Sequence, residues 1–143
     1  MSIAQTQTTI FKQNLLSGLE NFAVGTPYTY KIALYTSLAN LNAATTTYTT
    51  QGEITGTGYT AGGKTLVISQ VPTSDTQSNT AFISFANVTW NPASFTAAGA
   101  LIYNSTTNAS VCVLNFGSDK TATNTFTVTF PADTASDAII RFS

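Results

Sequence analysis

The sequence contains no histidine, and this absence excludes several kinds of chemistry at once. Histidine is the side chain that most often changes charge near neutral pH, and it is the usual base beside a catalytic serine or cysteine. It is also a common zinc ligand. Ser-His-Asp and Cys-His catalytic systems and histidine-containing zinc sites are therefore excluded.

Charged side chains are also scarce, at 8% of the chain, where about 25% is usual in globular proteins. The net charge is −1, and the five basic residues do not form the basic stripe that nucleic-acid binding needs. A weakly charged protein has little electrostatic repulsion between its copies, which favours association. We therefore expect protein partners and no nucleic acid.

Cysteine and long apolar runs are nearly missing as well. The single Cys112 cannot form an internal disulfide, and its place between Val111 and Val113 is typical of a buried core residue. No apolar run approaches the ~20 residues of a membrane span, and the first residues lack a signal-peptide pattern. We expect a protein made and folded in a cytoplasm, with no membrane partner and with residues 1–143 in one domain.

Threonine, by contrast, makes up about a fifth of the chain, and with valine and the aromatics it favours β-structure. One helical pattern precedes the strands. Phe11, Leu15, Leu19 and Phe22 recur at steps of four, four and three, which predicts an N-terminal helix over about 8–24. Gly25 follows this stripe as a stop signal.

From Tyr28 onward, apolar residues recur at every second position, as in half-buried strands. The polar stretches 37–50 and 72–80 are typical of loops, and all four prolines lie between the apolar runs. The fold class predicted is all-β, an antiparallel, jelly-roll-like β-sandwich with one N-terminal α-helix. The predicted strands cover 28–36, 66–71, 81–90, 98–103, 110–116, 125–130 and 138–142.

One segment, "GYTAGGKT" at 58–65, matches the phosphate-loop pattern G-x-x-x-x-G-K-[ST]. A working phosphate loop is followed by a helix whose N-terminus faces the phosphates. Here the run "LVISQVP" follows, which is short, β-branched and stopped by Pro72, so no helix is expected at Thr65. The glycines are interpreted as turn residues, and an NTPase remains only the weaker alternative.

The remaining chemical candidates are weak. Asp133 and Asp137 are close in sequence, but a turn with solvated carboxylates explains them better than a glycosidase pair or a calcium site. Trp90 precedes Asn91-Pro92 and either closes the core or stacks on a sugar at a sheet rim. We predict no catalytic, cofactor-binding or metal-binding residues and no cofactor, and we expect that the protein is not an enzyme.

Several segments resemble small virion proteins of tailed bacteriophages, familiar from cyanophage genomes, over nearly the whole chain from about residue 10. These segments are "YKIALYTS" (30–37), "GTGYTAGGKTL" (56–66), "ALIYN" (100–104), "VLNFGSDK" (113–120) and "AIIRF" (138–142). The resemblance implies a non-enzymatic structural protein of the virion. Our first expectation is a capsid decoration or cement protein that stabilises capsomer contacts, and the alternative is a tail or fibre component that binds a receptor or glycan.

The resemblance also implies the partners, namely the major capsid protein or other virion proteins and further copies of the same chain in a dimer or trimer. The virion is then the expected location. The helix surface and the long loops are the expected contact regions, and the candidate contact residues are Phe11, Leu15 and Leu19 of the helix together with Trp90.

Overall fold

The computed structural model describes residues 2–143, and within this range the chain forms one α-helix and ten β-strands. In chain order these are β1 (Thr6–Gln7), α1 (Thr9–Leu16), β2 (Tyr30–Tyr35), β3 (Lys64–Thr65), β4 (Ile68–Asp75), β5 (Thr80–Phe85), β6 (Val88–Trp90), β7 (Phe95–Asn104), β8 (Ser110–Ala122), β9 (Phe126–Val128) and β10 (Ile140–Phe142).

All the paired strands are antiparallel, and they form three sheets. The largest sheet has five strands in the order β1-β8-β7-β2-β3, and the others have the orders β10-β5-β4 and β6-β9. The protein is therefore mostly β, with one short N-terminal helix, as the alternating pattern predicts. These strand orders do not confirm the jelly roll.

The helix is half as long as the stripe predicts, because it ends at Leu16. Gly18 has a φ of +76°, and the backbone N–H groups of Gly18 and Leu19 donate to the carbonyl oxygens of Leu15 and Asn14. This pair of hydrogen bonds is the Schellman ending, which glycine favours because it has no Cβ. Leu19 and Phe22 therefore lie beyond the helix, in the segment that leads to β2.

The main core lies between the five-stranded sheet and the two smaller sheets. Buried side chains from all three sheets meet there, together with Phe11 of α1 and Phe22. A second, smaller cluster contains Tyr35 and Leu101 on the opposite face of the large sheet, where Ala39 and Leu41 cover it. The strand β2 is therefore buried on both faces, although alternation predicts that only one face is covered.

Two strand boundaries differ from the predictions for local reasons. The run 81–90 divides into β5 and β6, which lie in different sheets. Pro72, expected in a loop, lies inside β4, where the register shifts between Gln70 and Thr73. An edge strand with an irregular register tolerates proline, because no neighbour needs its missing N–H.

No helix within residues 2–143 combines the length and the apolar character that crossing a bilayer demands.

Candidate partner interface

The segment that resembles a phosphate loop enters a strand. Thr65 belongs to β3, which pairs with β2, so the expectation that no helix begins there is confirmed. The Lys64 ammonium donates a 2.6 Å hydrogen bond to the carbonyl oxygen of Thr89 and lies 5.8 Å from the ring centre of Trp90. The lysine of the motif therefore binds the neighbouring two-stranded sheet.

Gly63 shows why this segment needs glycine. Its φ is +78°, and a Cβ built on it would lie 1.8 Å from the carbonyl oxygen of Ile32. No side chain fits at that distance from a backbone atom. Gly63 is therefore needed for the close approach of this loop to β2, and its positive φ agrees with the turn interpretation.

A carboxylate holds the same loop from the other side. Glu53 accepts 2.6 Å hydrogen bonds from the hydroxyls of Tyr48 and Tyr59, and its Oε2 also accepts a 2.8 Å hydrogen bond from the N–H of Gly62. The Tyr59 hydroxyl accepts from the N–H of Leu34, which lies on the edge of β2 beyond its short pairing with β3. Burial raises the pKa of Tyr59, the hydrogen bond to Glu53 raises it further, and the hydrogen bond from Leu34 opposes these effects.

We call Glu53, Tyr48, Tyr59 and Gly62 the Glu53 cluster. Both carboxylate oxygens have donors in it, and Tyr103 completes it by donating a 2.6 Å hydrogen bond to the carbonyl oxygen of Gly62. The cluster therefore fastens the loop to the large sheet.

The aspartates and the cysteine considered as chemical candidates make contacts that are explained by the fold. Asp133 and Asp137 are exposed, and they accept hydrogen bonds from the hydroxyls of Ser69, Thr134 and Ser136. Among residues 2–143, no three histidine, cysteine or acidic side chains group as metal ligands would. Burial raises the pKa of Cys112 to about 12, which holds its thiol in the unreactive protonated form.

The four predicted contact residues lie in different surroundings. Phe11 is fully buried and Trp90 is 1% exposed, so both side chains belong to the core and offer no surface to a partner. Trp90 packs against Tyr59, Phe95 and Phe126, which is the core-closing interpretation of the sequence. Trp90, the aromatic residue that was suggested to stack on a sugar at a sheet rim, therefore lies inside the protein.

Leu15 and Leu19, in contrast, are accessible at the protein surface, Leu15 partly and Leu19 more fully. Leu15 lines a groove of about 230 Å³ between the segment after α1 and the small sheet of β10, β5 and β4, and Leu19 is half exposed beside it. We call this space the Leu15 groove. Its walls are almost wholly apolar, and they include Phe22, Ile83, Ile140 and Phe142.

A second groove of about 300 Å³ shares Phe22 with the first and is lined by Val24 and Val71. Val24 and Phe142 line these grooves and are 87% and 41% exposed, and Leu16, which follows Leu15 in sequence, is 91% exposed. We call this region, which comprises Leu16, Leu19, Val24, Val71, Phe142 and the two grooves, the apolar face. Exposed apolar patches of this kind mark interaction sites more often than single exposed leucines do.

One acidic residue lies inside the Leu15 groove. Glu20 lines it and is only 5% exposed. Its Oε1 accepts hydrogen bonds from the Tyr30 hydroxyl at 3.0 Å and the Asn104 amide at 2.8 Å, whereas Oε2 is buried and has no partner within residues 2–143. Burial raises the pKa of Glu20, and the hydrogen bonds from Asn104 and Tyr30 oppose that effect.

Periodicity did not reveal Glu20 or Phe142 as parts of this surface. The available signal was one acid within the apolar stretch "LLSGLENFAV", inside the segment predicted to be helical. Phe142 ends the chain's last strand, and its exposure depends on what the small sheet leaves uncovered.

No protein-family model, curated protein or solved structure matches this chain.

Proposed function

We propose that the chain is a non-enzymatic structural protein of a bacteriophage virion, and specifically a decoration or cement protein that docks on the assembled capsid. The observation that carries the proposal is the apolar face, which leaves Leu16 and Val24 almost fully exposed. Water disfavours such side chains at roughly 25 cal/mol for each square ångström, so covering them stabilises a complex. The resemblance to virion proteins indicates which partner covers them.

The interior of the protein supports a role in adhesion over one in chemistry. Glu53 is occupied by three donors within the Glu53 cluster, and the Lys64 ammonium is held by Thr89. A catalytic group needs a free face toward a substrate. The most concentrated group of hydrogen-bonded side chains is thus explained by the shape of the loop alone.

The layered arrangement also suits a docking module. We propose the sandwich description on the basis of the core shared by the five-stranded sheet and the two smaller sheets. In such a module the apolar face spans the segment 15–24 and the strands β4 and β10. A protein that binds only the assembled shell stabilises it by RT ln(1 + [L]/Kd), about 2.7 kcal/mol at 100 times Kd.

The experiment is a binding test on DNA-filled capsids prepared without this protein. We expect the purified chain to sediment with the capsids and to raise their resistance to heat and to low salt. Leu19→Asp lies on the apolar face and should abolish binding, whereas the matched control Leu38→Asp changes another exposed leucine outside that face. Retained binding by Leu19→Asp, or equal robustness of capsids with and without the chain, would contradict the proposal.

The tail or fibre alternative is distinguished from the cement protein by where the chain lies on the phage particle. Gold-labelled antibody on intact particles should decorate the capsid lattice if the chain is a cement protein, and the tail if it is not. Because Trp90 is buried, a glycan site on the tail would need other side chains than the one that first suggested it.

A further inference from the structure

A third groove of the protein shares no lining residue with the apolar face. It has a volume of about 400 Å³ and lies between the end of β8 and the strand β9. We call it the β9 groove, and its lining residues are Phe116, Lys120, Thr121 and 125–129. Because a strand contributes to each wall, this groove can present unpaired backbone groups to a binding partner.

The backbone of β9 has hydrogen-bonding groups on a free edge. β9 pairs with β6 alone within residues 2–143, so its other edge has no neighbouring strand. Thr89 and Thr127 are opposite each other with their hydroxyl oxygens 3.1 Å apart, and the carbonyl oxygen of Thr89 accepts from Lys64, outside this sheet. Close side chains and outward backbone groups are typical of a non-hydrogen-bonded antiparallel pair. The N–H and C=O of Thr127 therefore point to the free edge.

The N–H of Phe130 supports this orientation. Backbone groups alternate between the two edges of a strand, so a residue three positions from Thr127 should point the opposite way. The N–H of Phe130 does so, because it donates a 2.9 Å hydrogen bond to the side chain of Asn87, which lies just before β6.

This edge also lacks the usual protection. Natural sheets protect free edges with proline, charged residues or bulges, because an unprotected edge pairs with other chains. β4, an edge of the three-stranded sheet, contains Pro72 and two register shifts. Residues 125–129 read Thr-Phe-Thr-Val-Thr, and the register of β9 on β6 is regular. The free edge of β9 is therefore open to a further strand.

The groove also selects side chains. Phe116 is half-buried and Phe126 is buried, with their ring centres 6.2 Å apart, so apolar side chains suit this part of the groove. Among the described residues that line the groove, Lys120 alone is charged. Its ammonium donates a 3.1 Å hydrogen bond to the neutral hydroxyl of Ser118. An acidic side chain on the occupant would therefore complement Lys120.

We propose that the β9 groove binds an extended peptide segment of a partner protein, which adds to β9 as a third strand. The segment alternates apolar and polar residues and carries an acidic residue that pairs with Lys120. In this mode of recognition the main-chain hydrogen bonds supply affinity and alternate side chains supply specificity. A second copy of the chain is a poorer occupant, because its own β8 accompanies its β9 edge and would enter the same space. The site is separate from the apolar face, so it goes beyond the proposed function and does not depend on it.

The test is a titration of the isotope-labelled full chain with the capped heptapeptide Glu-Val-Thr-Val-Thr-Val-Glu, followed by NMR. Its two terminal acids suit either strand direction. We expect the Thr127 amide to exchange quickly with solvent in the free chain and slowly in the complex. The amides of Phe126 and Val128 should exchange slowly in both states, because they point to β6.

Charge reversal tests the contact with Lys120. The peptide Lys-Val-Thr-Val-Thr-Val-Lys should bind wild type at least about tenfold more weakly, and Lys120→Glu should reverse this preference. Lys12→Glu is the matched control, because Lys12 is an exposed lysine on α1, and it should keep the wild-type preference. Lys120 is exposed, so Lys120→Glu keeps the fold, which circular dichroism checks.

Three results would overturn the proposal. The first is that the glutamate-ended peptide does not bind, or binds without slowing the exchange of the Thr127 amide. The second is a peptide preference that Lys120→Glu leaves unchanged. The third is slow exchange at Thr127 in the free chain that depends on chain concentration, because a second copy would then occupy the edge. These experiments use the chain alone, so the capsid sedimentation test decides the proposed function separately.

Discussion

Two glutamates of this protein are partly or wholly withdrawn from water, and their surroundings differ. Glu53 has a donor on each oxygen, two of them tyrosine hydroxyls at 2.6 Å. Glu20 has both of its donors on Oε1 and none on Oε2, and it lies in an apolar groove at the surface. Both oxygens of the first carboxylate have donors within the chain, whereas one oxygen of the second is buried without a donor within residues 2–143.

The contrast separates structural from adhesive polar groups. Buried polar atoms almost always have hydrogen-bond partners, so an exception calls for a specific explanation. The Glu53 cluster holds Gly62 of a loop whose Gly63 fits against β2, and both oxygens of Glu53 have donors within the chain. Glu20 lines the Leu15 groove and follows the half-exposed Leu19 in sequence. A buried carboxylate oxygen without a donor and exposed apolar side chains thus lie in the same region, the apolar face that we assign to partners.

The largest expected effect on stability comes from the loop that the Glu53 cluster holds. Gly63→Ala should destabilise the fold by more than about 4 kcal/mol, because the new methyl group would meet the backbone of Ile32 at 1.8 Å. Gly117→Ala is the control: its φ of +85° is similar, but no atom lies within 4 Å of the added Cβ. The control should lose only about 1–2 kcal/mol in urea unfolding. Equal losses would show that φ, and not the contact with β2, determines the need for glycine.

The two glutamates themselves give the next effect. Glu53→Gln should cost about 2–4 kcal/mol, because the amide nitrogen cannot accept a hydrogen bond and confronts a tyrosine hydroxyl or the N–H of Gly62. Glu20→Gln keeps an oxygen for Tyr30 and Asn104 and removes a buried charge, so it should stay within about 1 kcal/mol of wild type at neutral pH. Urea unfolding of both variants measures the difference. A larger loss of unfolding free energy in Glu20→Gln than in Glu53→Gln would show that Glu20, and not Glu53, is the more important carboxylate for the fold.

The pH dependence of stability sharpens the same contrast. The pKa of Glu20 is higher in the folded chain than its ordinary value of 4.5, so the native state binds this proton more tightly than the unfolded state. The stability from that proton is complete below pH 4.5 and is lost as the pH rises through the folded pKa. Wild type should therefore gain stability relative to Glu20→Gln as the pH falls from 7 toward 4.5, measured by urea unfolding at each pH. A constant difference would contradict the raised pKa.

Local pattern predicted much of the fold. The alternation in "TFTVTF" predicted a strand, and β9 lies there with Phe126 and Val128 buried and Thr127 exposed. The short β-branched run "LVISQVP" after the "GYTAGGKT" segment likewise predicted that no helix begins at Thr65. These predictions succeeded because the deciding interactions, side-chain alternation and β-branched composition, act within a few residues.

Other features depend on distant contacts and were not predictable in this way. The helical stripe continues past Leu16, but Gly18 ends the helix and redirects Leu19. Glu20 lies within the segment predicted to be helical, and local pattern could not reveal its burial because its donor Asn104 lies 84 positions away in sequence. The burial of Trp90 follows from its packing against β7 and β9, which a rim position beside Pro92 does not reveal. The sequence thus placed the candidate interface near the helix, but it did not reveal that the Glu20 carboxyl lines the same groove.

The smallest effect on stability should come from the most exposed residue of the apolar face. Leu16→Ser removes a side chain that is 91% exposed at the last position of α1, so unfolding should change by no more than about 0.5 kcal/mol. Binding to capsids should nevertheless weaken, because the same leucine lies on the apolar face that the proposed function assigns to the capsid. Leu38→Ser, at a leucine 70% exposed outside the apolar face, should change neither property. Capsid sedimentation and urea unfolding of the two variants separate a surface that maintains the fold from one that only binds a partner. Unchanged capsid binding by Leu16→Ser would place the contact with the capsid elsewhere.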